Sequence, residues 1–192
     1  MSVSPMKTFS NDVVDLSKDA VYGVVQYPMT STQISTALYD LKSGKLISEF
    51  ANVNSGRDHD MRKVNLWRVP MDSWIANCLK DVIIDLNKTF NYKISSIQDI
   101  QYLEYGEGDF YKMHSDISMG VSAMRKISIS WVLNDDFEGG QLKIMNGGEE
   151  FIVENRPDRL IAFTSFFTHG VMPITKGKRK VIVCWVNGEQ WR

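Results

Sequence analysis

Between residues 98 and 188 the chain is written in short β-branched and aromatic runs, each closed by turn residues. Ile100–Tyr105 runs into Gly106-Glu-Gly108, Tyr111–Asp116 into a stretch ending at Gly120, and Lys126–Leu133 into Asn134-Asp135-Asp136. Gln141–Met145 and Glu150–Glu154 flank Asn146-Gly147-Gly148, a hairpin signal. Leu160–Thr164, Gly170–Ile174 and Arg179–Val186 complete the set. About eight strand candidates at this spacing predict a β-sandwich or jelly roll.

The first half has a different texture. Val21–Tyr27 reads as a strand stopped by Pro28, and Leu46–Ala51 as a second. Thr30 or Ser31 caps a short helix with Ile34, Leu38 and Leu41 on one face, ended by Gly44. Asn52–Lys63 is polar and reads as a loop. Met71, Trp74, Ile75, Cys78, Leu79, Val82, Ile83, Leu86 and Phe90 follow helical spacing behind Pro70, so one face of that helix meets a core. No linker or repeat divides the chain. The expectation is one domain over 1–192, mostly β with buttressing helices: an N-terminal α/β support region at 1–97 and a core at 98–188.

Twenty-two Lys+Arg oppose 23 Asp+Glu for a net charge of −1, which argues against nucleic acid as a partner. No run of about 18 apolar residues exists for a membrane span. The opening segment lacks the pattern of a secretion signal, and two cysteines make no disulfide framework. The expected setting is cytoplasmic and reducing.

There are three histidines, so any histidine-based metal site draws on His59, His114 and His169. His114 and Asp116 are two apart on a strand candidate and point the same way, and His169 closes another strand candidate. Two imidazoles and one carboxylate can hold one face of an octahedral ion and leave positions open, the arrangement of non-heme Fe(II) oxygenases. Taken singly, His114 fits a structural histidine equally well, and a chance H-x-D is common. His59, in the polar stretch Arg57-Asp-His-Asp60, reads as a surface histidine. Arg179 adds context. It shares a strand face with Val181, Val183 and Trp185, and an arginine on an apolar face is costly unless an anion meets it. Its natural partner is a carboxylate. Lys176, Lys178 and Lys180 read as a solvated turn.

These residues together resemble the Fe(II)/2-oxoglutarate-dependent oxygenases, in particular their prolyl 4-hydroxylase-like branch. The resemblance rests on Gln101-Tyr-Leu-Glu-Tyr105-Gly-Glu-Gly-Asp-Phe-Tyr111-Lys-Met-His114-Ser-Asp116, Ile127–Asn134, Phe137-Glu-Gly-Gly-Gln-Leu142, Arg159–Phe163, His169-Gly-Val-Met-Pro173 and Gly177-Lys-Arg179 before Trp185. It implies a double-stranded β-helix, a jelly-roll form related to the cupins. It implies that His114, Asp116 and His169 hold Fe(II), that 2-oxoglutarate is the cosubstrate and O₂ the oxidant, and that ascorbate is an accessory cofactor. By position, Arg179 would pair with the far carboxylate of 2-oxoglutarate, Tyr105 would line the cosubstrate pocket, and Ser130, with Ser128 on the same face, would supply a hydroxyl. Tyr111 and Trp185 would line the substrate pocket or serve as core packing.

The implied reaction hydroxylates an unactivated C–H, with release of succinate and CO₂. The implied substrate is a peptidyl or protein side chain, proline first, with a free amino acid as an alternative. Demethylation of a nucleic-acid base, a non-enzymatic jelly-roll binding module and a halogenase are further readings; Asp116, where a halogenase carries a small residue, speaks against the last. Asn52–Lys63, continuing to Trp67, is expected to form part of a lid.

Overall fold

The structure is a computed structural model, and it describes residues 7–8, 23–43 and 61–191. Leu46–Ala51, Gly44, His59 and most of the polar segment assigned to a lid lie outside the described residues.

Two six-stranded sheets face each other. The first contains β2 (Val24–Pro28), β4 (Asn65–Arg68), β5 (Ile94–Tyr105), β7 (Arg125–Val132), β11 (Arg159–Thr164) and β14 (Arg179–Gly188), in the spatial order β2-β11-β7-β14-β5-β4. The second contains β1 (Lys7–Thr8), β3 (Arg62–Lys63), β6 (Phe110–His114), β9 (Leu142–Asn146), β10 (Glu149–Val153) and β12 (Thr168–Val171), in the order β1-β10-β9-β12-β6-β3. A two-stranded pair, β8 (Phe137–Gly139) with β13 (Ile174–Gly177), stands apart from both. This is the expected mostly β, jelly-roll architecture, and β2 and β4 from the N-terminal half are strands of the first sheet.

Two helices, α1 (Ser31–Lys42) and α2 (Trp74–Phe90), cover the outer face of the first sheet. Thr30 closes a capping box with Gln33 at the start of α1. In α2 the buried stripe is Ile75, Leu79, Val82, Ile83 and Leu86, and Asn91 ends the helix in the left-handed conformation. The helix starts three residues later than Pro70 suggests. The Ser73 hydroxyl accepts the backbone N–H of Ala76 and fixes the first turn there, so Met71 stays outside the helix, exposed.

Strand alternation sorts each central strand into two faces. Ile100, Tyr102, Ile127, Ile129, Ile182, Cys184 and Val186 pack against the helices. Gln101, Tyr105, Ser130, Arg179 and Val183 face the space between the sheets. The first sheet is therefore buried on both sides, which explains the almost continuous burial of β7 and β14.

Three boundaries differ from the sequence reading. Strand β6 ends at His114, so Asp116 lies just beyond it rather than on it. The predicted Gly170–Ile174 strand is two elements, β12 and β13, broken at Met172-Pro173, where proline has no N–H for a ladder. Arg62 and Lys63, read as loop, form the edge strand β3 and pair with Tyr111 and Phe110.

Candidate active site

A cavity of about 420 Å³ opens between the sheets. At one end lie His114, Asp116 and His169. His114 and His169 are direct cross-strand partners in the antiparallel pair β6–β12, and their rings tilt together with centroids 4.4 Å apart. Asp116 enters from the loop after β6. Its Oδ1 is 3.6 Å from His114 Nε2 and its Oδ2 is 3.3 Å from His169 Nε2. All three ligating atoms fall within 4.8 Å of one another.

The tautomers are set by the backbone. His114 Nδ1 lies 2.8 Å from the carbonyl oxygen of Lys112, and His169 Nδ1 lies 3.0 Å from that of Phe167. A carbonyl only accepts, so each Nδ1 carries the proton and each Nε2 presents a lone pair to the common point. Burial pushes the His169 imidazole below its ordinary pKa, against the opposing charge of Asp116. Burial by itself would raise the Asp116 carboxyl. With the imidazoles protonated, the hydrogen bond from His114 and the charge of His169, joined by hydrogen bonds from Ser128 and Trp185, outweigh it and hold the carboxyl well below its usual range. A neutral imidazole and an ionised carboxylate are the states a divalent ion requires.

Supporting contacts hold the set in place. Ser128 donates to Asp116 Oδ2 at 2.6 Å. The Asp116 N–H donates to the Ser165 carbonyl at 3.3 Å. Tyr111 stacks on His114 with centroids 3.7 Å apart, and Phe163 meets His169 edge-on.

At the other end of the cavity sits Arg179, 1% exposed. It is in register with Tyr105 on the neighbouring strand, and its guanidinium lies 5.5 Å from the Tyr105 ring. Its Nε makes one long hydrogen bond, 3.4 Å, to Asn155 Oδ1. Among the described residues no carboxylate comes within ion-pair distance of it. Burial pulls its pKa down to about 10, and burial likewise pushes the Tyr105 phenol up to about 12. A buried guanidinium without a counter-ion, facing a cavity, is a site for an anionic ligand.

Every site residue expected from the sequence lines this one cavity: His114, Asp116, His169, Arg179, Tyr105, Ser130, Tyr111 and Trp185. Ser128, grouped with Ser130 as a pocket hydroxyl, instead serves the Asp116 carboxylate. Among the polar lining residues, Gln101 and Arg125 had no site role in the sequence reading, and Arg62 entered it only as part of the expected lid segment. Gln101 shares the inward face of Tyr105 and could have been found by alternation. Arg125 could not. The pairing of β14 with β7 slips between Val186 and Asn187, which pair with Ile127 and Arg125, and this irregularity is invisible in a period-two pattern.

The family model of the 2OG-Fe(II) oxygenase superfamily matches residues 100–187, the stretch that carries all three ligating residues and Arg179. Over that stretch, a little under half of its length, the chain is similar to that superfamily. A PKHD-type hydroxylase of Synechococcus sp. (strain CC9605) is 29% identical over 119 residues, 58% of this chain and 52% of that one. The chain thus spans about half the length of that relative. Among solved structures, a prolyl-4-hydroxylase of Pseudomonas putida matches with a TM-score of 0.69 at 19% identity, covering 91% of this chain and 97% of that one. A prolyl hydroxylase of Trichoplax adhaerens, in complex with a peptide fragment of the hypoxia inducible factor oxygen degradation domain, matches with a TM-score of 0.71 at 19% identity, covering 90% and 87%. At that identity the likeness establishes the jelly-roll fold, with the helices on one sheet. The superfamily's Fe(II) and 2-oxoglutarate suit the donors here: two imidazoles with one carboxylate at one end, and an unneutralised guanidinium at the other. Among the described residues no helix is long and apolar enough to cross a membrane.

Proposed function

We propose that this protein is an Fe(II)- and 2-oxoglutarate-dependent dioxygenase that hydroxylates an unactivated C–H on a peptidyl or protein side chain, proline first. The observation that carries the reading is the pairing, within one cavity, of an open three-ligand face with a buried, carboxylate-seeking arginine. Neither feature has a use in a structural core, and a non-enzymatic binding module needs no such pair.

In this reading His114, Asp116 and His169 hold Fe(II) by one face. Arg179 pairs with the far carboxylate of 2-oxoglutarate, with Tyr105 beside it and Ser130 in reach of the cosubstrate. Bound there, the metal and cosubstrate supply oxidative decarboxylation coupled to C–H hydroxylation, with succinate and CO₂ released. The chain's own residues do the rest. The backbone carbonyls of Lys112 and Phe167 keep both Nε2 atoms unprotonated, and Ser128 keeps the carboxylate turned toward them. Leu103, Leu142, Val171 and Phe163 make apolar walls that limit water around the reacting centre. Tyr111 and Trp185 border the space left for the substrate side chain. A peptidyl substrate is supported by the peptide seen with the Trichoplax adhaerens prolyl hydroxylase and by the prolyl-4-hydroxylase fold of the Pseudomonas putida protein.

The test is spectroscopic. Fe(II) and then 2-oxoglutarate are added to the metal-free protein without oxygen. A visible charge-transfer band requiring both additions and absent in Asp116→Ala is expected, followed by succinate release with proline-containing peptides. A folded protein with no band overturns the reading.

A further inference from the structure

The charges around the cavity do not balance once it is loaded, and the excess lies on the substrate side. Three arginines line the cavity, Arg62, Arg125 and Arg179, against one carboxylate, Asp116. Under the function proposed above, the two positive charges of Fe(II) and the one of Arg179 are matched by Asp116 and the two carboxylates of 2-oxoglutarate. Arg62 and Arg125 are left over. We propose that these two arginines select a peptide with an acidic residue next to the hydroxylated position; this rests on the oxygenase reading.

Arg125 is held in place for such a task. Its Nε donates to Gln98 Oε1 at 3.0 Å, one terminal nitrogen donates to the Asp116 carbonyl at 3.2 Å, and the guanidinium carbon lies over Trp185 at 4.0 Å from the ring centre. The nearest side-chain carboxylate is that of Asp116, at 4.0 Å, which the metal claims. Arg62 lines the same cavity, half-buried on edge strand β3, with its guanidinium 5.5 Å from the centre of the Tyr111 ring. No carboxylate lies within ion-pair distance of it among the described residues. The neighbouring Lys63 is already tied to Asp109 at 3.0 Å, so it offers no further charge. Positioned guanidiniums of this kind bind carboxylates strongly, because desolvation is already spent in the fold.

Two observations favour a peptide over other anions. Met119, just before the short 3-10 turn at Gly120–Met124, and Val121 and Met124 within it are exposed, and Ser122 of the turn, with the preceding Ser118, lines the cavity. This apolar rim suits the side chains flanking a peptide's reacting residue and has no role for a free amino acid. A nucleic acid would need aromatic faces for stacking. Tyr111 and Trp185 already spend theirs on His114 and Arg125.

The probe is a pair of fluorescein-labelled proline peptides, one with Asp and Glu beside the proline, the other with Asn and Gln in their place. Anisotropy is read on protein loaded with Fe(II) and 2-oxoglutarate without oxygen, so that binding is separated from turnover. The acidic peptide is expected to bind roughly tenfold tighter or better. Arg62→Gln and Arg125→Gln should each erase most of that margin while the charge-transfer band persists, and Arg125→Lys should keep part of it. Because Arg125 touches the Asp116 loop, Arg62→Gln is the variant that decides if Arg125→Gln fails to fold. Equal affinity for the two peptides overturns the inference and leaves the oxygenase reading standing. So does tighter binding of a short oligothymidylate, or competition by free glutamate at the peptide's own concentration. Loss of the band in the unmodified protein overturns both.

Discussion

Ser128 reaches across from the helix-backed sheet to donate a 2.6 Å hydrogen bond to Asp116, which hangs from the end of β6 in the opposite sheet. One short bond thus joins the two layers at the metal-binding end of the cavity, and the Ser128 oxygen also lies 3.0 Å from Ser165 Oγ. Ser128→Ala removes the bond without adding bulk. Fe(II) affinity should fall by roughly 10- to 100-fold, the range for loss of a group that orients a ligand. Titration with Fe(II) against a competing chelator checks this. A change below twofold would mean that Asp116 is oriented by its backbone alone.

Arg179 makes a second prediction, with opposite signs in the free and ligand-bound protein. A buried guanidinium lacking a counter-ion costs stability, so Arg179→Met should leave the ligand-free protein as stable or more stable. With 2-oxoglutarate at about 100 times its dissociation constant, the unmodified protein should gain about 2.7 kcal/mol, and the variant should gain almost none. Thermal unfolding with and without 2-oxoglutarate measures both. A variant that 2-oxoglutarate stabilises as much as it does the unmodified protein would remove Arg179 from the cosubstrate site.

Gly170 follows His169 at the point where β12 lies against β6. A Cβ there would sit 2.7 Å from the Tyr111 carbonyl oxygen and 3.0 Å from Met113 Sδ. Gly170→Ala must push the strands apart and carry His169 away from His114. A loss of about 1–3 kcal/mol in stability is expected, with weaker Fe(II) binding in the fraction that stays folded. Chemical denaturation and metal titration of the same sample separate the two effects.

Cys184 is fully buried against the helices, and burial raises its thiol above the ordinary range. Burial also raises Cys78, which is only partly covered. A raised thiol has less thiolate at any given pH, so both react slowly, and Cys184 reacts only when the fold opens. In native protein at pH 8 a thiol reagent should modify at most Cys78, and in denaturant both. Rapid native labelling of Cys184 would contradict the packing of β14 beneath α2.

Much of the site was legible because its residues obey local rules. Turn residues at short intervals dictate short antiparallel strands, and period-two alternation puts Tyr105, Ser130, Arg179 and Trp185 on inward faces whatever the partner strand is. An arginine on such a face demands an anion from any sequence that carries it. Other features depend on how strands far apart in the chain align. His114 and His169 become direct partners only through the β6–β12 register. Ser128 finds Asp116 only because the two sheets face each other, and Arg125 turns into the cavity only at a slip in pairing near Asn187. Alternation along one strand is a property of the backbone, so sequence alone determined which residues face inward. Register and the meeting of the two sheets come from long-range pairing, so only the tertiary structure decided which of those inward residues touch.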